Sequence, residues 1–91
     1  MKKKAVSLRY PENADAPFIS ACAQGLLAEK MIKIAQQNDI PIVQDEILTN
    51  VLLNSNPGDL IPEETYSVVA NIFAFILKLE DKDNGKTIFE S

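Results

Sequence analysis

Residues 18–43 read FISACAQGLLAEKMIKIAQQNDIPIV, and the change of period inside this run decides the fold class. Phe18 to Ala23 is a short, almost uniformly apolar stretch, the pattern of a strand covered on both faces. From Gly25 the period becomes helical: Leu27, Met31, Ile34 and Ala35 recur on one side, with Leu26 and Ile32 widening the face. Glu29 and Lys33 stand i,i+4 in the favourable order. Asn38-Asp39 supplies a stop, because Asn tolerates the left-handed conformation used after a helix end. Ile40-Pro41-Ile42-Val43 is short and branched, so a strand follows, and Pro41 places it at a strand start or a sheet edge. Strand, helix, strand at this spacing predicts a crossover joining a parallel pair.

Upstream, Ala5-Val6-Ser7-Leu8-Arg9-Tyr10 alternates as a strand, with Val6 and Leu8 on one face. Pro11 to Pro17 carries a turn. The short connection predicts that this strand and residues 18–23 are antiparallel neighbours. Downstream, Asp45 is placed to cap a second helix burying Ile47, Leu48, Val51 and Leu52. Residues 54–59 are a loop on composition. Pro62-Glu63-Glu64 then opens a last helix running to about Leu79, with proline early and carboxylates at the positive end of the dipole. Tyr66, Val69, Ala70, Phe73 and Leu77 form one apolar stripe on it, and Val68, Ile72, Phe75 and Leu79 form a second, nearly opposite. A helix apolar on two sides is enclosed or has a partner, and the sequence leaves both open. Residues 81–91 are polar and contain Gly85, which predicts a flexible acidic tail behind a domain at 1–80.

Composition excludes several function classes. A chain of 91 residues is one domain that buries only about 60–65% of its unfolded surface, so a deep private cavity is not expected. Histidine is absent, and with it the commonest general base and metal ligand. The net charge is −4, and Lys2, Lys3 and Lys4 hold three of the nine positive charges, leaving six basic residues against thirteen acidic ones from Ala5 onward. No basic stripe exists to displace counterions from a nucleic acid. The first lysines and Ile19-Ser20-Ala21-Cys22 imitate the ends of a lipoprotein signal. The interval between them carries Arg9, Pro11, Glu12, Asn13, Asp15 and Pro17 instead of an apolar run. No stretch approaches the roughly 18 apolar residues of a membrane span, which predicts a cytoplasmic protein. There, the lone Cys22 is expected as a buried small hydrophobe rather than a nucleophile. The acid pairs Asp45-Glu46 and Glu63-Glu64 sit at helix starts, where the dipole accounts for them. Glu80, Asp81 and Asp83 lack the spacing of a calcium loop. Neither a phosphate loop nor a Cys/His metal set is present, so no enzyme and no cofactor is expected.

Taken in order, "AVSLRY", "AP" before an apolar strand, "GLLAEKMIKIAQQNDIPIV" and "IPEETYSVVANIFAFI" resemble the cytoplasmic C-terminal domain of the FlhB/YscU family of flagellar and type III export switch proteins. The resemblance runs from about Ala5 to Leu79. It implies a domain that hangs from a membrane-embedded export gate and cleaves itself within an Asn-Pro-Thr-His motif, whose two pieces stay associated while export switches from early to late substrates. Counting back from Ala5-Val6, the motif's last three residues and the one after them fall on Met1, Lys2, Lys3 and Lys4, and its asparagine before the first residue. The chain is therefore expected to correspond to the downstream cleavage product, without autocleavage.

Since the family's first strand comes from the upstream piece, the expectation is an α/β domain with a mixed three-stranded sheet, three helices and one unfilled strand place. An open edge invites strand addition. Partner contact is then expected along Lys2, Lys3, Lys4, Val6 and Leu8. The lysines either blunt that edge or meet an acidic partner or anionic lipid. The resemblance also implies a shallow substrate pocket at Ala16, Pro17, Ala70 and Phe73, where Phe73 replaces a leucine and partly fills it. A second departure is Glu46-Ile47 in place of the family's Pro-Pro pair. Expected partners are the gate, including the upstream part of a full-length switch protein, and export substrates. The alternative is an adaptor that self-associates, as a homodimer, or competes through the open edge.

Overall fold

The computed structural model describes residues 3–11, 16–80 and 86–91. Three of its elements form one side of a sheet and its crossover: β1 (Lys4–Arg9), β2 (Phe18–Gln24) and α1 (Leu26–Gln37). Then come β3 (Ile42–Gln44), α2 (Glu46–Leu52), a 3-10 turn at Glu63–Thr65, α3 (Tyr66–Glu80) and β4 (Thr87–Glu90). The sheet is four-stranded, in the order β2-β1-β4-β3.

The mixed α/β class with three helices is as expected, but the strand count is not. β4 lies between β1 and β3, antiparallel to the first and parallel to the second, in the place predicted to be empty. It falls in the stretch expected to be a flexible tail. Thr87-Ile88-Phe89 is branched and aromatic, the composition that suits a pleated buried surface, and all four β4 residues are buried. Residues 81–85 of that expected tail lie outside the described residues.

β1 is consequently central, hydrogen-bonded on both sides. Val6 pairs with Cys22 on β2 and with Phe89 on β4. The expected contact edge at Val6 and Leu8 is therefore corrected: both side chains are fully buried. Lys3 instead approaches Glu90 (3.8 Å), and the Lys4 ammonium donates to Asn50 Oδ1 (3.0 Å). Lys2 lies outside the described residues.

The strand expected to be central, β2, is an edge. The loop after α2 covers its outer side: Ile19 N–H donates to the Asp59 carbonyl (2.8 Å), Gly58 N–H to the Ile19 carbonyl (2.6 Å), and Ile61 N–H to the Pro17 carbonyl (3.2 Å). Uniform apolarity here reflects a strand capped by a loop, not flanked by strands. β2 and β3 do run parallel, yet they occupy opposite edges rather than pairing.

Helix ends follow local chemistry. Asp45 caps α2, its carboxylate accepting from Leu48 N–H at 3.0 Å. α1 ends at Asn38, but Asp39 rather than Asn38 takes the left-handed conformation (φ 56°). Gly25, at φ 64° and ψ −132°, turns β2 directly into α1, a conformation that only glycine adopts without strain.

Two clusters fill the two faces of the sheet. Val6, Leu8, Ile19, Leu48, Leu52, Ile61, Val69, Phe73 and Phe89 pack beneath α2 and α3. Ala5, Ala23, Ala28, Ile32, Ala35 and Ile88 pack beneath α1. The alternation of β1 and β4 divides their side chains between these faces.

Candidate functional site

The four positions of the implied pocket divide unequally. Ala16 and Pro17 are buried at the start of β2. Phe73 is 1% exposed and stands edge-on to Tyr10, with ring centroids 5.7 Å apart and planes at 79°. It shares its cluster with Ile19 and Ile61, the residues that follow Pro17 along β2 and across the Pro17–Ile61 hydrogen bond. Three of the four are thus buried and committed to packing. Ala70 is the exposed member, one helical turn from the exposed Tyr66 and from the buried Phe73, at the margin of the buried side of α3.

All three helices carry more apolar surface than the sheet covers. On α1 the buried face is Ala28, Ile32 and Ala35, a step round from the stripe read in the sequence; Leu27 and Ile34 are 66% and 56% exposed. Small side chains face the sheet because its floor there is Ala5 and Ala23, which lets the helix approach closely. On α2, Leu48, Thr49 and Leu52 are buried, while Ile47, expected in the core, is exposed and Val51 half-buried. On α3, Val69 and Phe73 are buried, but Val68 and Phe75 of the second stripe are exposed and Ile72 is half-buried. Val68 and Phe75 of that stripe are thus not enclosed by the described residues of the domain. Leu77 and Leu79 lie beyond the described side chains.

These shoulders border grooves. One, of about 580 Å³, runs between α1 and the β1–β2 side of the sheet; Leu27, Met31, Ile34 and Ala21 line it, with Arg9, Lys30 and Lys86 as its charged residues. A second, about 450 Å³, separates α2 from α3, lined by Ile47, Val51 and Val68 with Asp45 and Glu64. Sequence reasoning missed the first because it treated the Leu27–Met31–Ile34 stripe as core. The i, i+4, i+7 spacing was visible, but the alanine floor that shifts the helix was not.

The chemistry present is sparse. Burial pushes the Cys22 thiol above its ordinary ionisation range, which favours the protonated, less nucleophilic form at neutral pH. Its sulfur lies 3.9 Å from the Ser55 carbonyl. Among the described residues no cluster of three His, Cys, Asp or Glu side chains is placed to hold a metal. No described helix is long and apolar enough to cross a membrane.

These features define a small α/β domain around a mixed four-stranded sheet, with apolar shoulders on every helix. Within that class, the model of the FlhB HrpN YscU SpaS family matches residues 2–76, and the chain belongs to this family. The uncharacterized protein YlqH of Bacillus subtilis (strain 168) is 39% identical over 92% of this chain and 91% of its own length. The flagellar biosynthetic protein FlhB of the same organism is 36% identical over 86% of this chain, which spans only 22% of FlhB. The crystal structure of a mutated EscU C-terminal domain superposes with a TM-score of 0.77 at 26% identity, covering 82% of this chain and 93% of that domain. The family is that of flagellar and type III export switch proteins, so the role of the chain is related to protein export.

Proposed function

We propose that the chain is a non-catalytic, cytoplasmic component of flagellar or related type III export. In this reading it is the counterpart of the C-terminal piece of the switch protein. It binds components of the inner-membrane export gate, export substrates, or both, during the change of substrate specificity. The observation that carries the reading is the sheet itself. With β4 in place, β1 is paired on both sides, which supports a four-stranded sheet built from this chain's own residues. Binding then falls to exposed surface rather than to an unfilled edge at Val6 and Leu8. The alternative adaptor that pairs through an open edge loses the edge it was built on.

Ala16, Pro17, Ala70 and Phe73 are the proposed contact region, with Ala70 as its exposed entry point. Substituting Phe73 tests folding and binding together, because the ring is in the core. Ala70→Glu is the cleaner probe: glutamate is a good helix former, and the position faces solvent. Calorimetry of the chain against purified rod, hook or needle subunits and against the cytoplasmic part of the gate should show binding that Ala70→Glu weakens at least about tenfold, with an unchanged circular dichroism spectrum. Absence of binding to every one of these proteins would sink the proposal. Binding indifferent to Ala70→Glu would move the contact elsewhere.

A further inference from the structure

α1 covers only part of its face of the sheet. Ala28 and Ala35 bring it down onto Ala5 and Ala23. The next positions along that face, Ser7 and Ala21, pair with each other and form the floor of the groove beside the helix. Both side chains are small, so the space between them and the row Leu27, Met31 and Ile34 stays open, at about 580 Å³.

The two grooves are sorted by sign of charge. The one between α2 and α3 carries Asp45 and Glu64 and no described cation. The one beside α1 carries Arg9, Lys30 and Lys86, and among the described residues no carboxylate lines it. These are three of nine cations in a chain of net charge −4, so the local sign opposes that of the whole. Two of them are also neighbours on the sheet. Leu8 pairs with Thr87, which makes Arg9 and Lys86 the next positions outward on adjacent strands. Both are exposed. Like charges placed opposite each other repel, and an anion between them relieves the repulsion.

We propose that this groove is the docking site for an acidic amphipathic helix of another protein. The apolar stripe of that helix lies against Leu27, Met31 and Ile34, and its flanking carboxylates meet Arg9, Lys30 and Lys86. A helix suits the site because it satisfies its own backbone, whereas a strand needs an open edge, and the walls here are a helix face and a sheet face. The i, i+4, i+7 row on α1 supplies a ridge for a second helix to pack against. An anionic membrane suits the groove less well, since the chain as a whole is acidic and a concave site does not lie flat on a bilayer. A two-fold pair through this face would set each cation cluster against its own copy. The groove and the cluster containing Phe73 lie on opposite faces of the sheet, so this inference and the contact proposed at Ala70 stand or fall separately.

The probes are amphipathic peptides of about 18 residues, long enough to form a helix, sharing one leucine stripe and flanked throughout by Glu, by Gln or by Lys. Fluorescence anisotropy against the full chain should show the Glu form binding at least about tenfold more tightly than the Lys form, the reverse of the order that net charge alone would set. Leu27→Gln should weaken the Glu form, and Lys30→Glu should abolish the preference for it; both positions are exposed, and circular dichroism should not change. Amide shifts on adding the Glu form should centre on Ser7, Ala21 and residues 27–34. Preference for the Lys form, equal binding of the three, or no binding would overturn the inference, as would binding indifferent to both variants. Displacement of the Glu peptide by phosphatidylglycerol vesicles would assign the groove to lipid. A dimer of the chain alone that Leu27→Gln dissociates, read by sedimentation, would assign it to a second copy. Either result would also overturn the inference.

Discussion

The two faces of the sheet are built from the same strands and stabilised differently. Under α2 and α3 the cluster is made of Val, Leu, Ile and Phe; under α1, four of its six buried residues are alanine. Large side chains hold their helices at a distance and fill the gap with apolar volume, so that face carries most of the hydrophobic stabilisation. Alanines bring α1 close and contribute little each, and the wide apolar stripe of α1 then overhangs the sheet. Stability is concentrated on one face, whereas uncovered apolar surface lies on both: Leu27 and Ile34 on α1, and Ile47, Val68 and Phe75 on α2 and α3.

The sharpest way to break this contrast is at Phe89, on the large face and in the strand the sequence did not announce. Phe89→Ala removes a fully buried ring and should cost about 3–5 kcal/mol, read as a lower urea midpoint with an unchanged slope. A cost below about 1 kcal/mol would mean that β4 contributes little to the core and that the large face ends at β1.

On the small face the corresponding probe adds volume. Ala28 is fully buried, and Ala28→Leu should push α1 off the sheet at a cost of about 1–3 kcal/mol. A neutral or stabilising leucine would show that the space under α1 is loose rather than close-packed. Leu27→Gln, one position away, should change stability by no more than about 0.5 kcal/mol, because Leu27 is on the overhang. Thermal melts of the two variants side by side would separate buried face from shoulder at single-residue resolution.

The same contrast explains what was legible in the sequence. Strand, helix, strand across residues 18–43, the Asp45 cap and the punctuation by Pro41 and Pro62 are local signals, and local chemistry set them. The position of α1 was not legible, because Leu27, Met31 and Ile34 make a better apolar stripe than Ala28, Ile32 and Ala35; only the alanines opposite, at Ala5 and Ala23, reverse the preference. β2 read as central for a related reason: an apolar strand covered by a loop has the composition of one flanked by strands. β4 was missed because residues 81–86 set the character of the whole tail, although Thr87-Ile88-Phe89 has strand composition. An unfilled place beside β1 was the stronger clue, since a row of unpaired backbone groups demands a partner. Of the candidate site, the resemblance implied Ala16, Pro17, Ala70 and Phe73, but the burial of three of them and the exposure of Ala70 depended on packing that no spacing encodes.

The smallest effect belongs where the large face runs out. Cys22 lies opposite Val6 on the edge strand, half-buried, with its thiol ionisation raised by burial. The folded state therefore holds the thiol proton to higher pH than the unfolded chain does. The sign follows from proton linkage: below the ordinary value of 9.0 both states are protonated and the contribution is whole. Above it the unfolded chain ionises first, and stability falls until the folded thiol titrates as well. Urea midpoints measured from pH 8 upward should decline more steeply for the native chain than for Cys22→Ala, in which this titration is absent. Iodoacetamide at neutral pH should label Cys22 more slowly in the folded chain than in urea. Identical pH slopes would place the thiol in water and move the boundary of the large face inward, to Val6.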